Sequence, residues 1–239
     1  MTIIVLGSVR GAPGVTTTAL ALASVWPAWR GVVVAEADPD GGVLAARRRL
    51  DPEPGLVTLA AAIRSGTAVL SDHTHVIGTG VHALIAPPAG EQVRAALTVA
   101  GDRLALTFDQ AGADVLVDGG RLTTTSPAGA ILRHAATTLL LLRPRLDEVM
   151  AVRHRVAALR EIGVDPALLL VRDGPYRRDE VAAAVGAVLA GEIPLDHRGA
   201  RALDEPGAGP SARSPLLRSA RHLAGSLAGR SRGVGAARS

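Results

Sequence analysis

Residues 8–18, SVRGAPGVTTT, decide how the rest of the chain is read. They follow a short apolar run, TIIVLG (2–7), and lead into an Ala/Leu segment of helical period beginning near residue 15. A strand, a glycine-rich turn and a helix in that order put the turn at the carboxyl edge of a sheet, where open α/β folds bind their ligands. Gly11 and Gly14 let the backbone approach an anion that a side chain would hold off, while Thr16 and Thr17 open the helix with N–H groups and hydroxyls. A loop that cradles a triphosphate normally ends Gly-Lys-Ser/Thr, because the lysine neutralises phosphate and the hydroxyl binds magnesium. Here Val15 stands between Gly14 and Thr16. A glycine turn between strand and helix is also an ordinary structural turn, so its meaning depends on what else reaches that edge.

Working outward, apolar runs bounded by turn residues recur at 31–37, 82–87, 113–119, 137–143 and 167–173, with a shorter one at 191–194. Segments of helical period lie between them, at about 15–25, 43–49, 57–64, 90–110, 127–134, 146–162 and 178–189, and a last one at 213–228. Runs apolar throughout, alternating with helices, are the pattern of parallel strands covered on both faces. The expected fold is therefore α/β: a three-layer, doubly wound, mostly parallel sheet with helices on both faces. One domain is expected over 1–228, with a Gly/Pro/Ser loop at EPGAGPS (205–211) and a basic, disordered tail at 229–239.

The 239 residues are 48% hydrophobic, enough to bury a full core. There is no long uninterrupted apolar run and no basic leader before the first strand, so a cytoplasmic location is expected. Cysteine is absent, which excludes disulfides and thiolate metal sites. All 26 basic residues are arginine; no lysine elsewhere can replace one missing from the loop. Residues 1–205 carry 20 arginines and all 22 acids, whereas 206–239 carry 6 arginines and no acid. The high pI thus comes largely from the end of the chain, which is read as solvated, with contact to DNA or an anionic membrane surface as the alternative. Only four aromatic residues argue against a protein that binds single strands by stacking bases.

Two further features favour a phosphate site over a bare turn. The second strand ends in Glu36 and Asp38, two residues apart and so on one face at the carboxyl edge. The fourth, VLVDGG, ends in Asp118, the layout of an acid that holds a magnesium shell.

With these residues in place, the chain resembles the ParA/MinD family of deviant phosphate-loop ATPases. That family's loop, K-G-G-x-G-K-[ST]-T, is similar to RGAPGVTT at Gly11, Gly14, Thr16 and Thr17, with Arg10 at the signature lysine. Its D-x-D-P motif resembles Glu36-Ala37-Asp38-Pro39, and its strand ending in Asp resembles VLVDGG. GEIPLD resembles the segment that passes the adenine, which nominates Pro194 and Asp196; Arg172 stands where the family often has an adenine-contacting asparagine. The resemblance implies ATP and Mg²⁺ as ligands, with Thr16, Asp38 and Asp118 at the metal. It implies Asp38 and Arg10 as catalytic groups, Gly11, Gly14, Val15, Thr16 and Thr17 around phosphate, and a homodimer.

The departures weaken the chemistry. Val15 removes the loop cation, and the Ala12-Pro13 pair replaces a glycine and removes an N–H donor. The expectation is a degenerate member that binds ATP and Mg²⁺ weakly or has no cofactor, with slow or absent hydrolysis, serving as a positioning or regulatory scaffold for pilus, secretion or cell-positioning machinery, as in the TadZ/CpaE-like branch. Two alternatives stand beside it: an active ATPase in which Arg10 replaces the lysine, and a DNA-binding partition factor. His73, His75 and His82 are read as surface or loop histidines, Arg47-Arg48-Arg49 as a solvated helix end, and the apolar stripe of the last helix as packing on the domain.

Overall fold

The computed structural model describes residues 1–10, 13–78, 80–204 and 213–236. Its centre is an eight-stranded sheet, with strands β1 (Ile3–Ser8), β2 (Val32–Glu36), β3 (His75–Val76), β4 (His82–Leu84), β5 (Asp114–Arg121), β6 (Thr137–Leu142), β7 (Ala167–Arg172) and β8 (Leu189–Pro194). Their order is β3-β4-β2-β5-β1-β6-β7-β8, and every pairing is parallel except that of β3 with β4.

Alternation along each strand divides the core in two. Ile3, Val5, Val33, Ala35, Val115, Val117, Leu140 and Leu168 face one side. There they meet α3 (Leu56–Ser65), α4 (Gly90–Ala100), α5 (Asp102–Asp109), α6 (Gly129–His134), α7 (Leu146–Glu161) and α8 (Arg178–Val185). Ile4, Leu6, Val34, Leu116, Leu139 and Leu169 face the other, under α1 (Val15–Ser24), α2 (Leu44–Arg48), α9 (His197–Asp204) and α10 (Pro215–Ala236). The expected three-layer, doubly wound, mostly parallel architecture is the one observed.

Several boundaries differ from expectation. The helix expected over 90–110 is two, broken at Gly101, a residue of low helix propensity. The helix expected to reach 189 ends at Val185, because Leu189 already pairs with β7. Helix α9 and the two-residue β3 are additions: one is only eight residues long with Gly199 and Leu203 as its buried positions, and the other is too short to show a hydrophobic period. Helix α10 continues past 228 to Ala236, consistent with easy propagation from a turn already nucleated by packing. The loop reading at 205–211 and the turn glycine Gly11 fall outside the described residues.

Candidate functional site

Strand β1 occupies the middle of the sheet, with β5 and β6 beside it, so the turn after it opens at the centre of the carboxyl edge. Gly14 takes φ +92° just before α1, a left-handed conformation that glycine adopts without strain. Val15 begins the helix and is only 7% exposed, its side chain part of the apolar cluster beneath α1 and α10. The position that a loop cation would occupy has therefore been absorbed by the core.

The next residue keeps its polar role. Thr16 Oγ1 donates to Asp118 Oδ2 at 2.5 Å, and Gly120 N donates to Asp118 Oδ1 at 3.0 Å. Asp118 is 3% exposed, and burial pushes its carboxyl up to about 6. The Thr16 hydroxyl and the Gly120 N–H pull against that rise, the Asp38 charge adds to it, and the Arg47 charge opposes it. Asp38 is also raised, chiefly by burial, although Asp40 N donates to its Oδ1 at 2.9 Å. Its carboxylate lies over Gly120, where an added Cβ would come within 1.9 Å of Asp38 Cγ. The double glycine after Asp118 thus makes room for the second acid.

Glu36, grouped with Asp38 by sequence, does something else. Its Oε1 accepts from Val43 N at 2.7 Å and Leu44 N at 2.9 Å, and its Oε2 from Ala86 N at 3.0 Å. It is 2% exposed, and burial raises it to about 7 against those three N–H groups. The acid caps α2 and ties it to the segment after β4.

Two clefts meet over this edge. One, of about 350 Å³, is lined by Ser8, Gly14, Val15, Thr16, Thr17, Asp38, Asp40, Arg47, Asp118, Gly120 and Arg121. The other, of about 240 Å³, is lined by Pro13, Thr18, Arg143, Val171, Asp173, Pro194, Asp196, His197 and Leu216, and shares Gly14 and Thr17 with the first. Pro194 and Asp196 line this second cleft, across from Gly14 and Thr17. Asp196 accepts from Gly199 N at 2.9 Å and Ser214 Oγ at 2.7 Å. Burial pushes its carboxyl up, but these and other hydrogen bonds outweigh burial and hold it below the ordinary range.

Two nominated residues are not brought to the clefts. Arg10 is exposed at the end of β1 and lines neither of them. Arg172 opens instead toward Glu192, Pro215 and Arg218, because side chains alternate and Val171 and Asp173 take the inward positions. Conversely, Arg47 and Arg121 line the first cleft, over Gly14 to Thr17, and were not nominated. The signal for Arg47 was its place on the short helix after β2, a strand separated from β1 only by β5. The histidines make local bonds: His73 Nδ1 lies 2.8 Å from Thr58 Oγ1, and His75 Nε2 lies 2.8 Å from Pro54 O. Among the described residues no group of three His, Cys, Asp or Glu side chains is placed to hold a metal by itself, and no helix is long and apolar enough to cross a membrane.

No protein-family model and no curated protein matches the sequence. Solved structures match its fold. The cell division ATPase MinD of Pyrococcus furiosus is similar with a TM-score of 0.76 at 19% identity, over 95% of this chain and 98% of that one. The septum site-determining protein MinD of Pyrococcus horikoshii OT3, complexed with Mg-ADP, gives 0.74 at 19% identity over 95% of both chains. A ParA family ATPase from Chlorobium tepidum TLS gives 0.73 at 17% identity, over 92% of this chain and 96% of its own. The central turn, the acids around it and the strand order therefore sit on the fold of the MinD and ParA family ATPases.

Proposed function

We propose that this chain is a degenerate ParA/MinD-like protein, a homodimeric scaffold with a regulatory or positioning role, for which ATP and Mg²⁺ are weak ligands and hydrolysis is slow or absent. The supporting observation is the contrast inside one cleft: Val15 is turned into the core while Thr16, Asp38 and Asp118 still converge. A hydroxyl and two carboxylates are the hard oxygen donors that Mg²⁺ takes, and a divalent cation would relieve the mutual repulsion that helps raise Asp118. Magnesium bound there would screen phosphate charge. Gly14, Val15, Thr16 and Thr17, with Gly11, would offer backbone N–H groups to phosphate, and Pro194 and Asp196 would flank the base.

Losing one charge-assisted phosphate contact costs about 1.5–3 kcal/mol, roughly ten- to a hundredfold in affinity. A pilus, secretion or cell-positioning assembly is the proposed setting, as for the TadZ/CpaE-like branch. Calorimetric titration of the protein with MgATP tests the reading; weak binding without turnover is expected, and low-micromolar binding with steady hydrolysis would overturn it. The exposure of Arg10 at the mouth of the turn supports one second reading, an active ATPase in which Arg10 acts in cis or reaches a partner's nucleotide. In that case Arg10→Ala abolishes hydrolysis.

A further inference from the structure

The phosphate-side cleft retains a cation, supplied by a different element. Arg47 extends from α2 to the loop-helix junction, where its Nη1 is 3.5 Å from Thr17 Oγ1 and 3.5 Å from Asp204 Oδ1 at the end of α9. Both contacts are long, and Asp204 Oδ1 has no hydrogen-bond partner among the described residues. Among the described residues the guanidinium is therefore held close to Thr16, Thr17 and Asp118 without being saturated, and its charge opposes the rise of the Asp118 carboxyl. Its base is fixed, since Leu44 is fully buried and the first amides of α2 are held by Glu36.

The other arginines nearby fit less well. Arg121 is 60% exposed and faces Asp40 at 3.8 Å. Arg143, on the second cleft, is paired through its Nε with Oε1 of the buried Glu148, whose Oε2 accepts from the Arg143 backbone amide. Arg48, next to Arg47, also interacts with Asp204, so the acid keeps a cationic neighbour when Arg47 leaves.

Resting on the nucleotide-binding reading above, we infer that Arg47 is the phosphate-binding cation of this site, competed for by Asp204. Phosphate oxygens over the Gly14–Thr17 turn take the guanidinium from Asp204, so ligand binding loosens the joint between α2 and α9. Arginine suits the exchange because its planar fork can bind an anion with two N–H groups while remaining charged.

The test is calorimetric titration of the full chain with MgATP and with Mg²⁺-tripolyphosphate, for wild type, Arg47→Ala, Arg47→Lys, Asp204→Asn and Arg121→Ala, with circular dichroism to check folding. Arg47→Ala should weaken both ligands about tenfold or more, the scale of a charge-assisted contact, and Arg47→Lys should recover part of that loss. Asp204→Asn should tighten both severalfold, and Arg121→Ala should change either by less than about twofold, as befits an exposed charge. Opposite signs at 47 and 204 are what a merely structural role for the pair would not produce. A folded Arg47→Ala protein that binds MgATP like wild type overturns the inference alone, as does weaker binding by Asp204→Asn. Wild type that binds neither ligand overturns the nucleotide reading itself.

Discussion

Asp118 and Glu36 are acids that the fold holds above their ordinary values of 3.8 and 4.5, at about 6 and about 7. An acid raised in this way supports the fold below its unfolded pKa and loses that contribution as pH rises through the folded one. Ligand-free protein should therefore become less stable between about pH 4 and pH 7, while Mg²⁺, which needs the carboxylates ionised, should stabilise it more over the same interval. Asp118→Asn is expected to flatten the decline up to about pH 6 and to abolish the Mg²⁺ response. Melting curves from pH 5 to 8 with and without the ion check both parts. At the opposite edge, Asp114 is buried, accepts from Trp26 Nε1 at 3.1 Å and pairs with Arg30. Asp114→Ala should cost about 3 kcal/mol in urea unfolding, since it strands a partly buried cation and an indole N–H. Asp118 was legible as an acid ending an apolar run. The work of Glu36 was not, because its partners are backbone amides of Val43, Leu44 and Ala86, which carry no side-chain signature.

Among the elements, strands were read more securely than helices. Strands β1, β5, β6 and β7 are buried on both faces, so each carries a run of three or more consecutive apolar residues whatever its neighbours. Helices α2 and α9 are short, and their importance comes from where the crossovers put them. Arg47 illustrates the limit: it is one of three consecutive arginines in sequence, and only the order β2-β5-β1 brings its helix beside the loop. The carboxyl end of β5 provides a test at this scale. Gly120 has φ +56° and lies under the Asp38 carboxylate, so Gly120→Ala should displace Asp38 while leaving the sheet intact. The expected result is an unchanged far-ultraviolet spectrum with Mg²⁺-dependent nucleotide binding lost; retained binding would show that Asp38 is not needed at the metal.

For the molecule as a whole, α10 is part of the core. Leu216, Leu217, Ala220, Leu223, Ala224 and Leu227 are buried against α1 and β8, as the expected stripe required. Each buried leucine contributes about 1.5–3 kcal/mol, so the four together rival the whole stability of a typical domain. Ending the chain before residue 213 should give insoluble or unfolded protein, whereas ending it after Gly229 should leave the melting temperature nearly unchanged. Solubility and melting of the two truncations decide this, and any study of DNA binding by the basic end should use the second. A last consequence concerns α2, a helix of five residues that would not persist alone in water. Because Glu36 fastens its first amides to a central strand, Val43 and Leu44 should exchange their amide hydrogens on the slow schedule of the sheet, opening only when the sheet itself unfolds.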